Sequence, residues 1–221
     1  MDNQEIVIDQ ICAGGLLPLF YHDEIVICKN VVSALYKGGV RCIEFTNRGK
    51  NSLINLKQLV EIKAEFPDLL LGIGTIKTGE QASAFIDAGA DFLVSPIFDN
   101  DIADIAYMNK IAWIPGCMTP TEIHVAQQAG CKLVKLFPGN VLGPGYVEAI
   151  MPLFSGIRFV VTGGVDITHE SLEKWMKSGI VGVGLGSKLI TNIILTNNDY
   201  DQLSLSTASV VKIMNQIKQS K

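Results

Sequence analysis

The sequence predicts a (β/α)8 barrel preceded by one helix, and three observations carry that prediction. Short apolar runs alternate eight times with longer amphipathic stretches along the 221 residues. Glycines follow those stretches at Lys37-Gly38-Gly39, Ala88-Gly89, Ala129-Gly130 and Ser178-Gly179, where helices end. The carboxyl ends of the apolar runs are polar, as strands that share one mouth require. A doubly wound open sheet is the competing architecture. It usually has fewer strands, and the first βα turn here lacks a Gly-x-Gly-x-x-Gly fingerprint.

In chain order, a leading helix reaches to about residue 13, and strands are predicted at 15–20, 40–46, 69–74 and 91–95. Each is short, apolar and closed by a polar or glycine-marked loop. The second half adds strands at 112–114, 132–137, 158–162 and 181–184. The intervening helices are predicted at 24–37, 52–66, 79–88, 102–109, 120–129, 146–154 and 169–177. Two more start near Lys188 and Gln202. No linker or low-complexity segment interrupts the pattern, so residues 1–221 read as one domain.

Composition excludes several function classes. Hydrophobic residues at 48% and charged ones at 18% fit a packed core rather than a disordered chain. A net charge of -4 without a basic stripe gives no reason to expect nucleic acid. The apolar runs stop well short of the ~20 residues of a membrane helix, and MDNQEIVIDQ lacks the form of a signal peptide. Five cysteines, an odd number without a Cys-x-x-Cys pair, point to buried thiols in a reducing, cytoplasmic compartment. The isolated histidines His22, His124 and His169 offer no metal-ligand spacing and read as surface or loop residues.

The chemistry centres on the stretch from Cys131 to Pro138, a buried strand stopped by Pro138-Gly139. Alternation puts Lys135 on one face with Leu133 and Phe137, where its ammonium is desolvated. An ordinary lysine, with a pKa of ~10.4, has very little neutral amine at pH 7, and desolvation raises that share. Lys135 is therefore either an imine-forming nucleophile or a packing lysine whose head snorkels to the strand end. Lys132, at the beginning of the strand, reads as a packing residue.

Strand two closes as Ile43-Glu44-Phe45-Thr46-Asn47-Arg48, with Val40, Cys42, Glu44 and Thr46 on one face. If Ile43 and Phe45 meet the helices, Glu44 points into the barrel, as a structural partner or as an acid or base. Arg41 sits at the wet lower end. The glycines of Gly72-Ile73-Gly74-Thr75 remove bulk and leave a hydroxyl at the rim, for a helix cap or a ligand. Strands seven and eight end in Thr162-Gly163-Gly164 and Gly184-Leu185-Gly186-Ser187, each followed by an expected helix start. Such loops are tight turns, or they bring backbone amides to an anion. Two clusters in the loops where barrels bind phosphate favour phosphate, with Lys188 available to assist.

With these residues assembled, the chain resembles the family of 2-keto-3-deoxy-6-phosphogluconate and 4-hydroxy-2-oxoglutarate aldolases, from about residue 15 to 188. The motifs are Glu44-Phe45-Thr46-Asn47-Arg48, Gly72-Ile73-Gly74-Thr75, Ser95-Pro96, Ile114-Pro115-Gly116, Lys135-Leu136-Phe137-Pro138, Thr162-Gly163-Gly164 and Gly184-Leu185-Gly186-Ser187. The resemblance implies a class I aldolase with no metal or other cofactor, a small keto-acid substrate, and a homotrimer. It casts Lys135 as the Schiff-base lysine and Glu44 as the proton-transferring carboxylate. Arg48 and Thr75 would hold the pyruvyl carboxylate, and Pro96, Phe137 and Thr162 would line the substrate. Gly163, Gly164, Gly186 and Ser187 would take a phosphate. The implied products are pyruvate and glyceraldehyde 3-phosphate, with cleavage of 4-hydroxy-2-oxoglutarate to pyruvate and glyoxylate beside it.

Two positions depart from the family pattern. Ile97 follows Ser95-Pro96 where many members have glycine, and Gly139-Asn140 replaces the common Ala-Glu. Two other readings stay open from the residues: a phosphate-binding isomerase or epimerase with Glu44 as base and Lys135 as electrostatic clamp, and a catalytically silent sugar-phosphate sensor.

Overall fold

The structure, a computed structural model, describes residues 3–220. After α1 (Asn3–Gly14), strands and helices alternate: β1 (Leu16–Phe20), α2 (Ile25–Lys37), β2 (Cys42–Thr46), α3 (Ser52–Glu61), β3 (Leu70–Gly74) and α4 (Gly79–Asp87). Next come β4 (Phe92–Val94), α5 (Asn100–Met108), β5 in two pieces (Ala112–Ile114 and Gly116–Cys117), α6 (Pro120–Gln128) and β6 (Leu133–Leu136). The chain ends with α7 (Gly139–Ile150), β7 (Arg158–Thr162), α8 (His169–Lys177), β8 (Gly182–Leu185), α9 (Asn192–Asn197) and α10 (Tyr200–Gln219).

Every strand pairing is parallel, and the strands are buried on both faces, which is why they read as apolar runs rather than alternating ones. The pairing runs from Ala112–Ile114 through β4, β3, β2, β1, β8, β7 and β6 to Gly116–Cys117. Both ends of that order belong to β5, so the sheet closes on itself. Pro115 has no N–H and divides the strand, yet its carbonyl accepts from the Lys135 N–H at 2.9 Å, carrying the ladder across the break.

Two apolar shells follow from strand alternation. The outer one lies between barrel and helices and includes Ile43, Phe45, Leu71, Ile73, Val134, Leu136, Phe159 and Val161. The inner one fills the lower barrel with Leu17, Cys42, Phe92, Val94, Ile114, Leu133 and Val160, and Val7, Ile8 and Ile11 of α1 join it from below. The helix α1 is thus a plug for the amino-terminal end of the barrel. It is tied there by Gln4 Nε2, which donates to the Ile111 carbonyl at 3.0 Å, and by the Asp9–Arg158 ion pair. Val40, expected on the inner face, falls before β2 and packs in the outer shell. Arg41 does sit at the wet lower end, paired with Asp68 at 2.8 Å.

Helix starts are set by side-chain caps. Thr78, Asp99, Thr119, Thr168, Thr191 and Asp199 each accept a hydrogen bond from a backbone N–H in the first turn. Several expected helices differ in extent or in where they start. The 52–66 helix ends at Glu61 and finishes as a 3₁₀ turn, Ile62–Glu65. The 146–154 helix begins early, at Gly139, breaks at Gly143 (φ 73°, ψ 163°) and restarts at Pro144. No helix starts at Lys188: the Gly186 carbonyl accepts from Leu189 and Ile190 N–H, both at 2.9 Å, closing a turn, and α9 begins at Asn192 behind the Thr191 cap. The last helix starts at Tyr200, two residues before the expected Gln202, because Asp199 caps it.

Candidate active site

Lys135 lies on β6 with Gly116 on one side and Val160 on the other. Glu44 lies on β2 between Leu19 and Gly72. These two strands stand four places apart either way round the ring, so the side chains reach toward each other across the barrel. Lys135 Nζ is 3.9 Å from Glu44 Oε1, with Lys135 6% and Glu44 1% exposed. The ammonium also lies 5.3 Å from the centroid of the Phe137 ring.

Space for that meeting comes from inward positions without side chains. A Cβ on Gly74 would collide with the Glu44 carboxylate, one on Gly72 with the Phe92 ring, and one on Gly184 with Thr162 Oγ1. Neither Glu44 oxygen accepts a hydrogen bond from any described residue. Burial without hydrogen bonds is costly for a carboxylate, and the Lys135 ammonium offsets part of that cost. The arrangement is a buried amine beside a carboxylate with open lone pairs, which suits proton exchange between them and a third group.

The remaining sequence candidates ring the carboxyl ends of the strands. Thr162 is buried against β8, in register with Gly184. Gly163 (φ 94°) and Gly164 (φ 75°) follow it in the left-handed region that glycine tolerates, and Gly164 packs against the Asn140 backbone. Gly186 and Ser187 lie across from them on the β8 loop, with Ser187 exposed. Lys188 is engaged elsewhere: it pairs with Asp166 at 3.0 Å, joining the β7 and β8 loops. That hydrogen bond from Lys188 holds the Asp166 carboxyl below the usual carboxylate range.

Pro96 is half-buried, and Gly116 packs on its backbone so closely that no side chain would fit between. The loop is anchored by Trp113 Nε1, which donates to Ser95 Oγ at 2.8 Å, a contact that the sequence reading missed. Thr75 takes a left-handed conformation (φ 63°) unusual for a β-branched residue, and the cap of α4 is Thr78 instead. Thr46 is structural: its Oγ1 donates to the Phe20 carbonyl at 3.2 Å and ties β2 to β1.

Arg48 stands apart from the pair. It is exposed past the end of β2, and no ion pair or hydrogen bond joins its guanidinium to another described residue. Its loop is nevertheless fixed. Ser52 Oγ donates to the Gly49 carbonyl at 2.6 Å, and Gly49 packs on the Tyr21 ring too tightly for a side chain. Lys132 is exposed at the other end of β6, away from the mouth. Among the described residues no group of three or more His, Cys, Asp or Glu could hold a metal ion. His22 Nδ1 accepts from the Glu24 N–H at 3.0 Å, and His124 and His169 are exposed.

The family model described as KDPG and KHG aldolase matches residues 7–205. Over 185 residues the chain is 34% identical to a 2-dehydro-3-deoxy-phosphogluconate aldolase of Treponema pallidum, covering 82% of this chain and 86% of that one. It is 30% identical over 206 residues to the enzyme of the same name from Dickeya dadantii, covering 92% and 94%. Among solved structures it is similar to the KDPG aldolase of Legionella pneumophila with pyruvate captured as a covalent carbinolamine intermediate. That match has a TM-score of 0.83, 25% identity and coverage of 91% and 96%. With the family model spanning most of the barrel, and these relatives spanning nearly all of it, the chain belongs to the KDPG and KHG aldolase family.

Proposed function

We propose that this aldolase cleaves 2-keto-3-deoxy-6-phosphogluconate reversibly to pyruvate and glyceraldehyde 3-phosphate, through a Schiff base on Lys135. The observation that carries the reading is the buried Lys135–Glu44 pair at 3.9 Å, at the mouth of a barrel whose floor is closed. The names of the Treponema and Dickeya relatives and the carbinolamine of the Legionella enzyme support it. A KHG/KDPG aldolase of Escherichia coli, 28% identical over 195 residues, supports 4-hydroxy-2-oxoglutarate as a second substrate. The isomerase and sensor readings find no support among these relatives.

In the cleavage direction the free amine of Lys135 adds to the C2 carbonyl, forming a C–N bond and a carbinolamine. Loss of water leaves a protonated imine, a positive centre that draws the electron pair of the C3–C4 bond as it breaks. Glu44 takes the proton of the C4 hydroxyl, so the C4 oxygen becomes the aldehyde carbonyl and the electron pair rests in an enamine. Returning a proton to C3 and adding water across the imine releases pyruvate and restores the amine. Arg48 and Thr75 bind the substrate carboxylate, for which a guanidinium fork is well shaped. Pro96, Phe137 and Thr162 flank the chain of the keto acid. Gly163, Gly164, Gly186 and Ser187 receive the phosphate through backbone amides and the serine hydroxyl.

The experiment is incubation with pyruvate and borohydride, followed by intact mass and peptide mapping. One reduced pyruvyl group on Lys135 is expected, and none on a Lys135→Ala variant. An adduct on Lys132, or no adduct from a preparation that cleaves substrate, would refute the assignment. Chelators are expected to leave turnover unchanged. We further infer a homotrimer in the cytoplasm, from the family resemblance and five cysteines outside any disulfide. Light scattering that finds a monomer at micromolar concentration would overturn the trimer.

A further inference from the structure

Gly116 is in register with Lys135, so a side chain on it would stand beside the lysine on the same face of the sheet. Pro96 fills that place instead. A Cβ on Gly116 would lie 2.4 Å from the Pro96 carbonyl carbon, 2.5 Å from its oxygen and 2.7 Å from the Ser95 carbonyl oxygen. The chamber wall next to the amine is therefore loop backbone, and its place depends on what holds Ser95 and Pro96. Two hydrogen bonds tie Ser95 to β5: its N–H donates to the Ile114 carbonyl at 3.1 Å, and its Oγ accepts from Trp113 Nε1 at 2.8 Å. On the other side of Pro96 the Phe98 ring packs on the same indole, with ring centroids 5.4 Å apart. Trp113 thus brackets Pro96 from before and after, while its own ring lies in the outer shell.

We propose that Trp113 is a positioning residue for the imine chemistry: through Ser95 it fixes the Pro96 backbone against which Lys135 and the bound keto acid are aligned. The inference rests on the Schiff-base aldolase reading and adds a residue that acts only through its neighbour. Ser95 is fully buried and Trp113 is 6% exposed, so water does not replace a donor lost from the Ser95 hydroxyl. The proline ring fixes its own φ, so the course of Pro96 follows largely from the backbone of Ser95. A reacting centre is sensitive to such shifts, since a misplacement of ~1 Å can cost about 10²-fold in rate. Phenylalanine would fill the outer shell and pack on Phe98 equally well. The indole N–H is the one feature of Trp113 that packing does not require.

The test replaces Trp113 by Phe, which keeps a ring against Phe98 and removes the N–H, and Ser95 by Ala, singly and together. For each, kcat and KM are measured on 2-keto-3-deoxy-6-phosphogluconate, and the rate of borohydride trapping is measured with pyruvate. Trp113→Phe should lower kcat and the trapping rate together, each about five- to tenfold, with little change in KM. Ser95→Ala should do the same. The double variant should be no worse than the poorer single one, because both changes remove one bond. Circular dichroism and thermal melting report whether each variant is folded at the assay temperature, where a purely structural indole would move the melting point alone. Normal kcat and trapping in a folded Trp113→Phe enzyme overturn the proposal, as do losses that multiply in the double variant. Should Trp113→Phe fail to fold, normal kcat in Ser95→Ala overturns it instead. A parent that cleaves substrate without a pyruvyl adduct on Lys135 overturns the Schiff-base reading itself, a separate failure.

Discussion

A methyl group on Gly74 would occupy the place of the Glu44 carboxylate, so the bare glycine gives Glu44 the room to stand 3.9 Å from Lys135. Gly74→Ala should displace Glu44 and lower kcat toward the level of Glu44→Gln, which keeps the shape but removes the base, a fall of roughly 10²–10⁴. Both variants should fold, as circular dichroism would report. A Gly74→Ala enzyme with normal kcat would mean that Glu44 has room elsewhere. At this scale the sequence made Lys135 and Glu44 legible, because a charge on the inner face of an apolar strand is costly enough to need a reason. It showed that Gly72 and Gly74 remove bulk, but not for which side chain, since that depends on the register of β2 with β3. The exposure of Arg48 and the engagement of Lys188 by Asp166 were hidden, because loop geometry decides both.

At the scale of elements, strands emerged within a residue or two of expectation except β5, which resumes after Pro115 and runs on to Cys117; burial on both faces leaves an apolar run that ends sharply at polar loops. Helix starts were met at Gly79, Pro120 and His169, each behind a capping threonine, and missed by two residues behind Asp99 and Asp199 and by four where the chain turns after Gly186. Ser187 resembles a cap, yet the carbonyl of Gly186 closes a turn before any helix can begin. The α6 start is the best specified. The Thr119 side chain accepts from the Glu122 N–H, while Glu122 Oε2 accepts from the backbone N–H groups of Met118 at 2.8 Å and Thr119 at 2.7 Å. Removing half of that box in Thr119→Ala should cost about 1 kcal/mol, read as a lower midpoint in urea with an unchanged slope. No change in midpoint would show that Glu122 alone holds the turn.

Across the whole molecule, the eightfold alternation was readable from the sequence, whereas the plugging of the barrel by α1 was not. Nothing in 3–14 distinguishes a helix that caps a floor from one that lies on a side. Burial raises the thiols of Cys28, Cys42, Cys117 and Cys131 from 9.0 to about 12. The fold therefore keeps protons that the unfolded chain releases near pH 9. Stability should be fully present below that value and fall as pH rises toward about 12. A thiol reagent at pH 8 should label the native protein slowly and all five cysteines after unfolding; rapid native labelling of Cys42 or Cys117 would contradict this. The closed floor has a kinetic consequence as well. Val7, Ile8 and Ile11 seal one end of the barrel, so on the proposed mechanism the half of the substrate bonded to Lys135 would lie beneath the half that is freed. Departure then has a fixed order, aldehyde before pyruvate, so pyruvate should inhibit cleavage competitively with the keto acid and the aldehyde noncompetitively.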